Sequence, residues 1–295
     1  MPARPALQVT LVQADTVWHD AAANREQLAR LMREHGAAGA AGAGSRADGP
    51  NAATDLFVLP ETFSTGFSNA VVATAEGMEG ETVSWLLEQA RTLNAAVTGS
   101  VQIRVGDQVF NRLLWAHPDG TLQHYDKRHL FRVAREQDHY AAGRDRLVVE
   151  FRGWRICPLV CYDLRFPVFS RNRMHEPLRE HVHTPENAAP PAELDYDLLL
   201  YVANWPAPRH EAWRTLLRAR AIENLCYVAG LNRCGTDGNG HPYLGGSALL
   251  DALGAPLVEC DSSQRTAQVA LSLDALREHR RRFPAHLDAD AFTLE

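Results

Sequence analysis

The sequence predicts an α/β protein whose single domain is built around two β-sheets. Short apolar segments with strand character mix with amphipathic helical segments along all 295 residues. No linker separates two cores, and no internal repeat is present. Hydrophobic residues make up 45% of the chain, which is enough for one large core or two small ones. One domain with covering helices is the simplest arrangement that buries every apolar face.

The first half of the chain alternates between the two element types. Helical spacing of leucine, valine and alanine predicts helices over Asn24–Glu34 and Thr82–Leu93. Asp119-Gly120 is typical of a hairpin turn. Strands are expected at Ala6–Gln13, Asp55–Leu59, Ala96–Ile103, Val109–His117 and Thr121–Tyr125.

The second half continues the mixture to the C-terminus. Helices are predicted over Glu211–Asn224 and Leu273–Arg281, and the chain after about residue 272 forms a C-terminal tail to the domain. Strands are expected at Arg146–Phe151, Arg155–Val160, Asp197–Val202, Cys226–Leu231, Leu244–Asp251, Pro256–Cys260 and Ala267–Leu271.

Two segments break the pattern and are predicted to be loop insertions. Gly36–Asn51 is rich in alanine and glycine and has no period, so we expect a flexible surface segment. Arg173–Glu193 is polar, contains prolines and is rich in histidine. Neither contains a phosphate-binding loop, so no nucleotide cofactor is expected.

Composition argues against several classes of protein. Net charge is −6, and the basic run Arg280–Arg282 is isolated and typical of a solvated helix end, so no nucleic-acid partner is expected. No apolar stretch reaches membrane-spanning length, and no signal core follows Met1. The five cysteines form no CxxC pair, which favours a reducing cytoplasm over disulfides. His181 and His183 lack further ligands at zinc spacing, so no metal is expected.

Three predicted strands end at residues suited to amide hydrolysis. Cys161 can act as the nucleophile that attacks a carbonyl carbon. Lys127 and the backbone N–H of Tyr162 can stabilise the oxyanion that forms. Glu61 can take the thiol proton and pass it to the leaving nitrogen. Each residue alone has an ordinary structural explanation, and the hypothesis depends on their occurring together.

The flanks of these residues resemble those of a known family. Leu59-Pro-Glu61, Asp126-Lys-Arg-His-Leu-Phe131 and Cys161-Tyr-Asp-Leu-Arg-Phe-Pro167 are similar to the three signatures of the nitrilase superfamily, the carbon–nitrogen hydrolases. The resemblance covers about residues 7 to 272 and is greatest to the omega-amidase branch. Later blocks of that family are similar to Val202-Ala-Asn-Trp-Pro206, Arg218-Ala-Arg-Ala-Ile-Glu-Asn224 and Asn232-Arg-Cys-Gly235.

The resemblance carries further expectations. It implies a four-layer α-β-β-α sandwich, a homodimer and the catalytic roles given above for Glu61, Lys127 and Cys161. It also implies a second acid, Glu136, that orients the substrate and Lys127. The implied substrates are 2-oxoglutaramate and 2-oxosuccinamate, which are omega-amides of 2-oxo diacids.

Such a substrate has a carboxylate at its far end, so its pocket should contain a fixed cation. Arg165 is the first candidate, although a buried structural ion pair is an equal alternative. Phe63, Phe131 and Trp205 flank the motifs and are expected either to wall the cavity or to pack in the core.

Other functions use the same three residues. A nitrilase or an N-carbamoyl amide hydrolase would also form a covalent cysteine intermediate, so the sequence leaves these reactions open. A catalytically silent binding module is the alternative from a different class. A cysteine protease would need a histidine partner, and the motifs provide a glutamate and a lysine instead.

Overall fold

Two six-stranded mixed sheets and their covering helices form the protein. The computed structural model describes residues 6–41, 53–175, 193–290 and 292–293. The strands are β1 Leu7–Gln13, β2 Leu56–Val58, β3 Ala96–Val105, β4 Gln108–Ala116, β5 Leu122–Asp126, β6 Val149–Phe151, β7 Trp154–Val160, β8 Met174–His175, β9 Glu193–Leu194, β10 Leu198–Ala203, β11 Tyr227–Asn232, β12 Cys234–Thr236, β13 Pro242–Leu244, β14 Ala248–Leu250, β15 Pro256–Glu259 and β16 Arg265–Leu271.

Helices connect and cover these strands. The α-helices are α1 Ala21–Ala41, α2 Val71–Thr74, α3 Glu81–Leu93, α4 Pro167–Ser170, α5 His210–Asn224 and α6 Leu273–Arg282. Single 3-10 turns are formed by Arg132–Ala134, Glu136–Asp138, Cys161–Arg165, Ala207–Arg209 and Ala285–Asp288.

The first sheet has the strand order β16-β1-β2-β3-β4-β5, and the second has the order β15-β14-β11-β10-β7-β6. Strands β1, β2 and β3 run parallel, as do β7, β10 and β11. Because β5 pairs antiparallel with β4, and β4 with β3, β5 runs in the same direction as β3. The carboxyl ends of β2 and β5 therefore lie at one edge of the first sheet.

Apolar side chains divide the molecule into four layers. One face of the first sheet packs with α1 and α3 through residues such as Phe57, Leu28 and Leu86. Its other face, which includes Val9 and Trp115, packs against the second sheet, and α5 covers the second sheet through contacts with β11 and β14. Alternation of side chains along each strand separates the two faces. The predicted α-β-β-α sandwich is confirmed.

Two predictions of element boundaries are wrong, and a third concerns a segment that is only partly described. Helix α1 continues to Ala41 across Gly36, because the alanines after Gly36 favour a helix; the rest of that insertion lies outside the described residues. Leu244–Asp251 is not one strand, because Gly245 and Gly246 take φ of +59° and +69° between β13 and β14. The insertion Arg173–Glu193 begins and ends in the paired strands β8 and β9, and residues 176–192 lie outside the described part.

Helix α6 is held to the body of the protein by Arg280. Its guanidinium donates to Asp197 Oδ1 at 2.8 Å, to the Tyr196 carbonyl at 2.8 Å and to the Leu225 carbonyl at 2.9 Å. The interpretation of Arg280–Arg282 as a solvated helix end is therefore wrong for Arg280. No described helix has both the length and the apolarity to cross a membrane.

Candidate active site

The ends of four strands bring Glu61, Lys127, Cys161 and Asn204 to one place between the sheets. Glu61 lies just beyond β2, Lys127 follows β5, Cys161 follows β7 and Asn204 follows β10. All four side chains are buried. Parallel strands explain this convergence, since their carboxyl ends meet at the same edge of a sheet.

Lys127 lies between two buried carboxyl groups. Its Nζ donates to Glu61 Oε1 at 3.0 Å and to Glu136 Oε1 and Oε2 at 2.9 and 3.0 Å. Burial alone would lower the pKa of Lys127, but the charges of Glu136 and Glu61 outweigh it and raise that pKa well above its ordinary value. The lysine is therefore a fixed cation at neutral pH.

Two asparagines and a backbone amide fix the Glu61 carboxylate. Asn111 donates to Oε1 at 2.8 Å, and the Asn204 backbone N–H donates to Oε2 at 2.7 Å. The Asn204 side chain also donates to the Glu61 carbonyl at 2.8 Å. These donors leave the carboxylate little rotational freedom, so it is held ready to accept a proton.

Cys161 is at a strained corner between strand and helix. Its φ is +44°, which places a non-glycine residue in the left-handed region at the start of the 3-10 turn Cys161–Arg165. Burial, followed by the charge of Glu61, raises the pKa of Cys161 well above its ordinary value, although Lys127 opposes the shift. The resting side chain is therefore a thiol that needs a base. Its Sγ donates to the Asn204 carbonyl at 3.9 Å, and the Glu61 carboxylate, whose Oε2 accepts from the Asn204 N–H, is the nearby base.

Asp163 holds the corner in place. One of its oxygens accepts from the Val160 N–H at 3.0 Å and the Tyr125 hydroxyl at 2.7 Å. The other accepts from the His129 N–H at 3.0 Å and from His129 Nδ1 at 2.7 Å. One buried carboxylate thus links the lysine segment to the cysteine segment. His129 serves this scaffold, and its ring stacks on Phe166 with the centroids 3.8 Å apart.

A cavity of about 810 Å³ opens above the cysteine. Of the predicted site residues, Glu61, Lys127, Phe131, Cys161, Tyr162, Arg165 and Trp205 line it. Phe67 forms another part of the wall, with its ring centroid 5.4 Å from Lys127 Nζ. Glu136 lies behind Lys127, and its pKa is raised because burial outweighs the attraction of the lysine.

The prediction that Phe63 walls the cavity is wrong. The Phe63 ring is buried in the core between the first sheet and its helices, 5.8 Å from the ring of Trp85. Gly99 leaves the room for it, because a Cβ there would lie 2.8 Å from Phe63 Cδ1. Thr62, the one residue between Glu61 and Phe63, has a φ of +42°, and the ring of Phe63 lies on the helix-covered side of the sheet.

Arg165 is not part of a structural ion pair. Its guanidinium lies over the Trp205 ring at 4.9 Å, and among the described residues it has no hydrogen-bond or ion-pair partner. The second cavity arginine, Arg209, has the same character, with its guanidinium 5.2 Å from the Phe131 ring centroid. Sequence reasoning did not identify Arg209, because it lies outside the three signatures.

Comparisons with known proteins agree with this geometry. The model of the carbon-nitrogen hydrolase family matches residues 8–281. The chain belongs to the carbon–nitrogen hydrolase family. The resemblance to the nitrilase superfamily is thus confirmed, and so is the prediction of a hydrolase that acts on carbon–nitrogen bonds. Within the described residues, no group of histidine, cysteine or acidic side chains could hold a metal ion.

Several similar proteins within this family are named as amidases. It is 44% identical to the omega-amidase YafV of Escherichia coli K12 over 291 residues, which cover 98% of this chain and 99% of the relative. It is 31% identical to the 2-oxoglutaramate amidase of Bacillus subtilis over 79% of this chain and 84% of the relative. The crystal structure of XC1258 from Xanthomonas campestris, a CN-hydrolase superfamily protein with an arsenic adduct in its active site, superposes with a TM-score of 0.85 at 52% identity, covering 98% of this chain and 99% of that one.

Proposed function

We propose that the chain is an omega-amidase that hydrolyses 2-oxoglutaramate or 2-oxosuccinamate to the 2-oxo diacid and ammonia. One observation carries the proposal: a buried thiol, a carboxylate base and a fixed ammonium meet at a cavity that also contains two arginines with no ion-pair partner in the described part of the chain. Similarity to proteins named omega-amidase and 2-oxoglutaramate amidase supports the substrate class.

In the first half of the reaction, Glu61 accepts the Cys161 proton as Sγ attacks the amide carbonyl carbon. Negative charge then develops on the carbonyl oxygen. The Lys127 ammonium and the Tyr162 N–H, which opens the 3-10 turn, stabilise that charge. Glu61 next returns its proton to the nitrogen, the C–N bond breaks, and ammonia leaves behind a thioester on Cys161.

The second half uses the same groups in reverse. Glu61 deprotonates a water molecule, which attacks the thioester carbonyl. The thiolate leaves, recovers the proton from Glu61 and releases the carboxylic acid product. Glu136 stays beside Lys127 throughout and holds the ammonium in position.

Arg165 supplies recognition of the substrate carboxylate. A guanidinium without a protein partner can form two parallel hydrogen bonds with a carboxylate, and the Trp205 ring beneath it keeps it in place. Phe131 and Trp205 form the apolar wall along the carbon chain.

Ammonia release from a substrate panel tests this proposal. We expect hydrolysis of 2-oxoglutaramate to exceed that of a nitrile or an N-carbamoyl amine by orders of magnitude. Arg165→Ala should raise KM for 2-oxoglutaramate about 10- to 100-fold while changing that for pentanamide, an uncharged amide, by less than about threefold. Preference for the nitrile or the carbamoyl amine would refute the assignment. Equal losses on both amides would give Arg165 a purely structural role.

We also propose a cytoplasmic homodimer. All five cysteines are free and buried, which suits a reducing compartment. Ile222 and Leu253 are 53% and 66% exposed on the outer side of the second sheet, where a two-fold partner could cover them. Sedimentation equilibrium should give twice the chain mass, and a monomer at micromolar concentration would contradict the proposal.

A further inference from the structure

Arg209 is a second cavity arginine that has no ion-pair partner among residues 6–41, 53–175, 193–290 and 292–293. Over these residues, the lysine and arginine side chains that line the cavity are Lys127, Arg165 and Arg209. The lysine is compensated by Glu61 and Glu136. The guanidinium of Arg209 forms no hydrogen bond or ion pair within the described ranges, and it stacks on Phe131 as Arg165 stacks on Trp205. The open part of the site therefore presents two guanidinium groups that contact no carboxylate among the described residues.

The carboxylates of the wall are held by other groups and, within the described residues, form no ion pair with either arginine. Glu61 is occupied by Lys127, Asn111 and Asn204. Asp237 also lines the cavity, but one of its oxygens accepts from the Asn239 and His241 backbone N–H groups and the other from the Tyr243 hydroxyl at 2.9 Å.

Arg209 is also fixed before any ligand arrives. It ends the 3-10 turn Ala207–Arg209, and Pro206 and Pro208 restrict the backbone on that approach. Its carbonyl accepts from Trp205 Nε1 at 2.7 Å, so the ring on which Arg165 stacks is hydrogen-bonded to the backbone of Arg209. Each guanidinium is thus positioned by an aromatic ring of the cavity wall before a ligand binds, and we call Arg165 and Arg209 the arginine pair.

We propose that Arg209 selects 2-oxo acids against 2-amino acids at the far end of the substrate. This inference rests on the proposed omega-amidase function. A 2-oxo acid presents three adjacent acceptor oxygens, two on the carboxylate and one on the ketone, which two guanidinium forks can share. Glutamine and asparagine carry an ammonium group in place of the ketone. That ammonium would lie beside the arginine pair and would be repelled by the two guanidinium charges.

The test compares four amides with the same five-carbon skeleton: 2-oxoglutaramate, glutaramate, glutamine and pentanamide. Arg209→Gln removes the charge but keeps a polar stem over Phe131. We expect it to lower the ratio of kcat/KM for 2-oxoglutaramate to that for glutamine by about 10- to 100-fold, chiefly through KM for the oxo acid. Arg209→Lys, which keeps the charge but loses the fork, should lie between Arg209→Gln and wild type.

Arg132→Gln is the matched control, because Arg132 is exposed on the neighbouring 3-10 turn and does not line the cavity. It should leave the ratio at its wild-type value. The selectivity inference fails if Arg209→Gln keeps the wild-type ratio of kcat/KM values. It also fails if Arg209→Gln and Arg209→Lys both reduce activity on all four amides equally. In either case the omega-amidase function stands. A wild-type enzyme that hydrolyses none of the four would overturn both.

Discussion

Replacing Lys127 by methionine separates the catalytic use of the ammonium from its role in charge balance. Its Nζ lies 2.9 to 3.0 Å from oxygens of Glu61 and Glu136, and the side chain is 1% exposed. Methionine has a similar length and no charge, so it leaves two buried carboxyl groups without a cation. Breaking a buried ion pair costs about 3–5 kcal/mol, and proton uptake by one carboxyl group reduces this cost. We expect the free energy of unfolding to fall by about 3 kcal/mol.

The turnover of the Lys127→Met variant should fall by more than its loss of folding stability can explain. Removing one oxyanion donor lowers kcat by about 10²–10³-fold. Ammonia release at saturating 2-oxoglutaramate measures this loss, and urea unfolding measures the stability.

A double variant makes the two effects distinguishable. Adding Glu136→Gln to Lys127→Met removes one carboxylate, and its amide oxygen can still accept from the Phe131 N–H, which lies 2.6 Å from Glu136 Oε2. The double variant should regain about 1–3 kcal/mol of stability and stay catalytically impaired. If it instead recovers near wild-type turnover, Lys127 only balances charge, and the oxyanion assignment is wrong.

Three other predictions follow from the same structure. Glu61→Gln should lower kcat by about 10²–10⁴-fold and also lower the pKa of Cys161, because the Glu61 charge raises it; an unchanged midpoint of thiolate absorbance would contradict this. Gly99→Ala places a Cβ 2.8 Å from Leu59 Cβ, so it should cost about 1–3 kcal/mol in urea unfolding and reduce turnover; wild-type stability would refute the clash. Burial raises the pKa of Cys157 from 9.0 to about 12, so the unfolded chain loses this proton first as pH rises. The free energy of unfolding should then fall by up to about 1.4 kcal/mol per pH unit above pH 9, and Cys157→Ala should reduce that slope; an unaltered slope would count against it.

The ends of the strands that carry the site could be predicted from the sequence, because each apolar run is followed directly by polar residues. Glu61, Lys127 and Cys161 follow β2, β5 and β7, and the motifs identified all three. The donors that hold Glu61 were harder to find. Asn111 lies inside β4, and only the register of β4 against its neighbours brings it to the carboxylate.

Other features depend on three-dimensional packing and could not be read from local patterns. Phe63 is adjacent to the first motif, yet its ring packs in the core, because Gly99 has no side chain to occupy that space. Asp163 lies within the cysteine motif, but its role appears only when β5 and β7 face each other. Arg209 became a candidate once the fold placed it on the cavity wall without a partner.

Ammonia release by Cys161→Ala tests the central claim most directly. Cys157→Ala is its matched control, since Cys157 lies on β7, the strand that ends just before Cys161, is fully buried and does not line the cavity. We predict that Cys161→Ala keeps a wild-type unfolding midpoint within a few degrees and releases no ammonia from 2-oxoglutaramate above background, while Cys157→Ala stays active. Sustained turnover by folded Cys161→Ala would contradict the account.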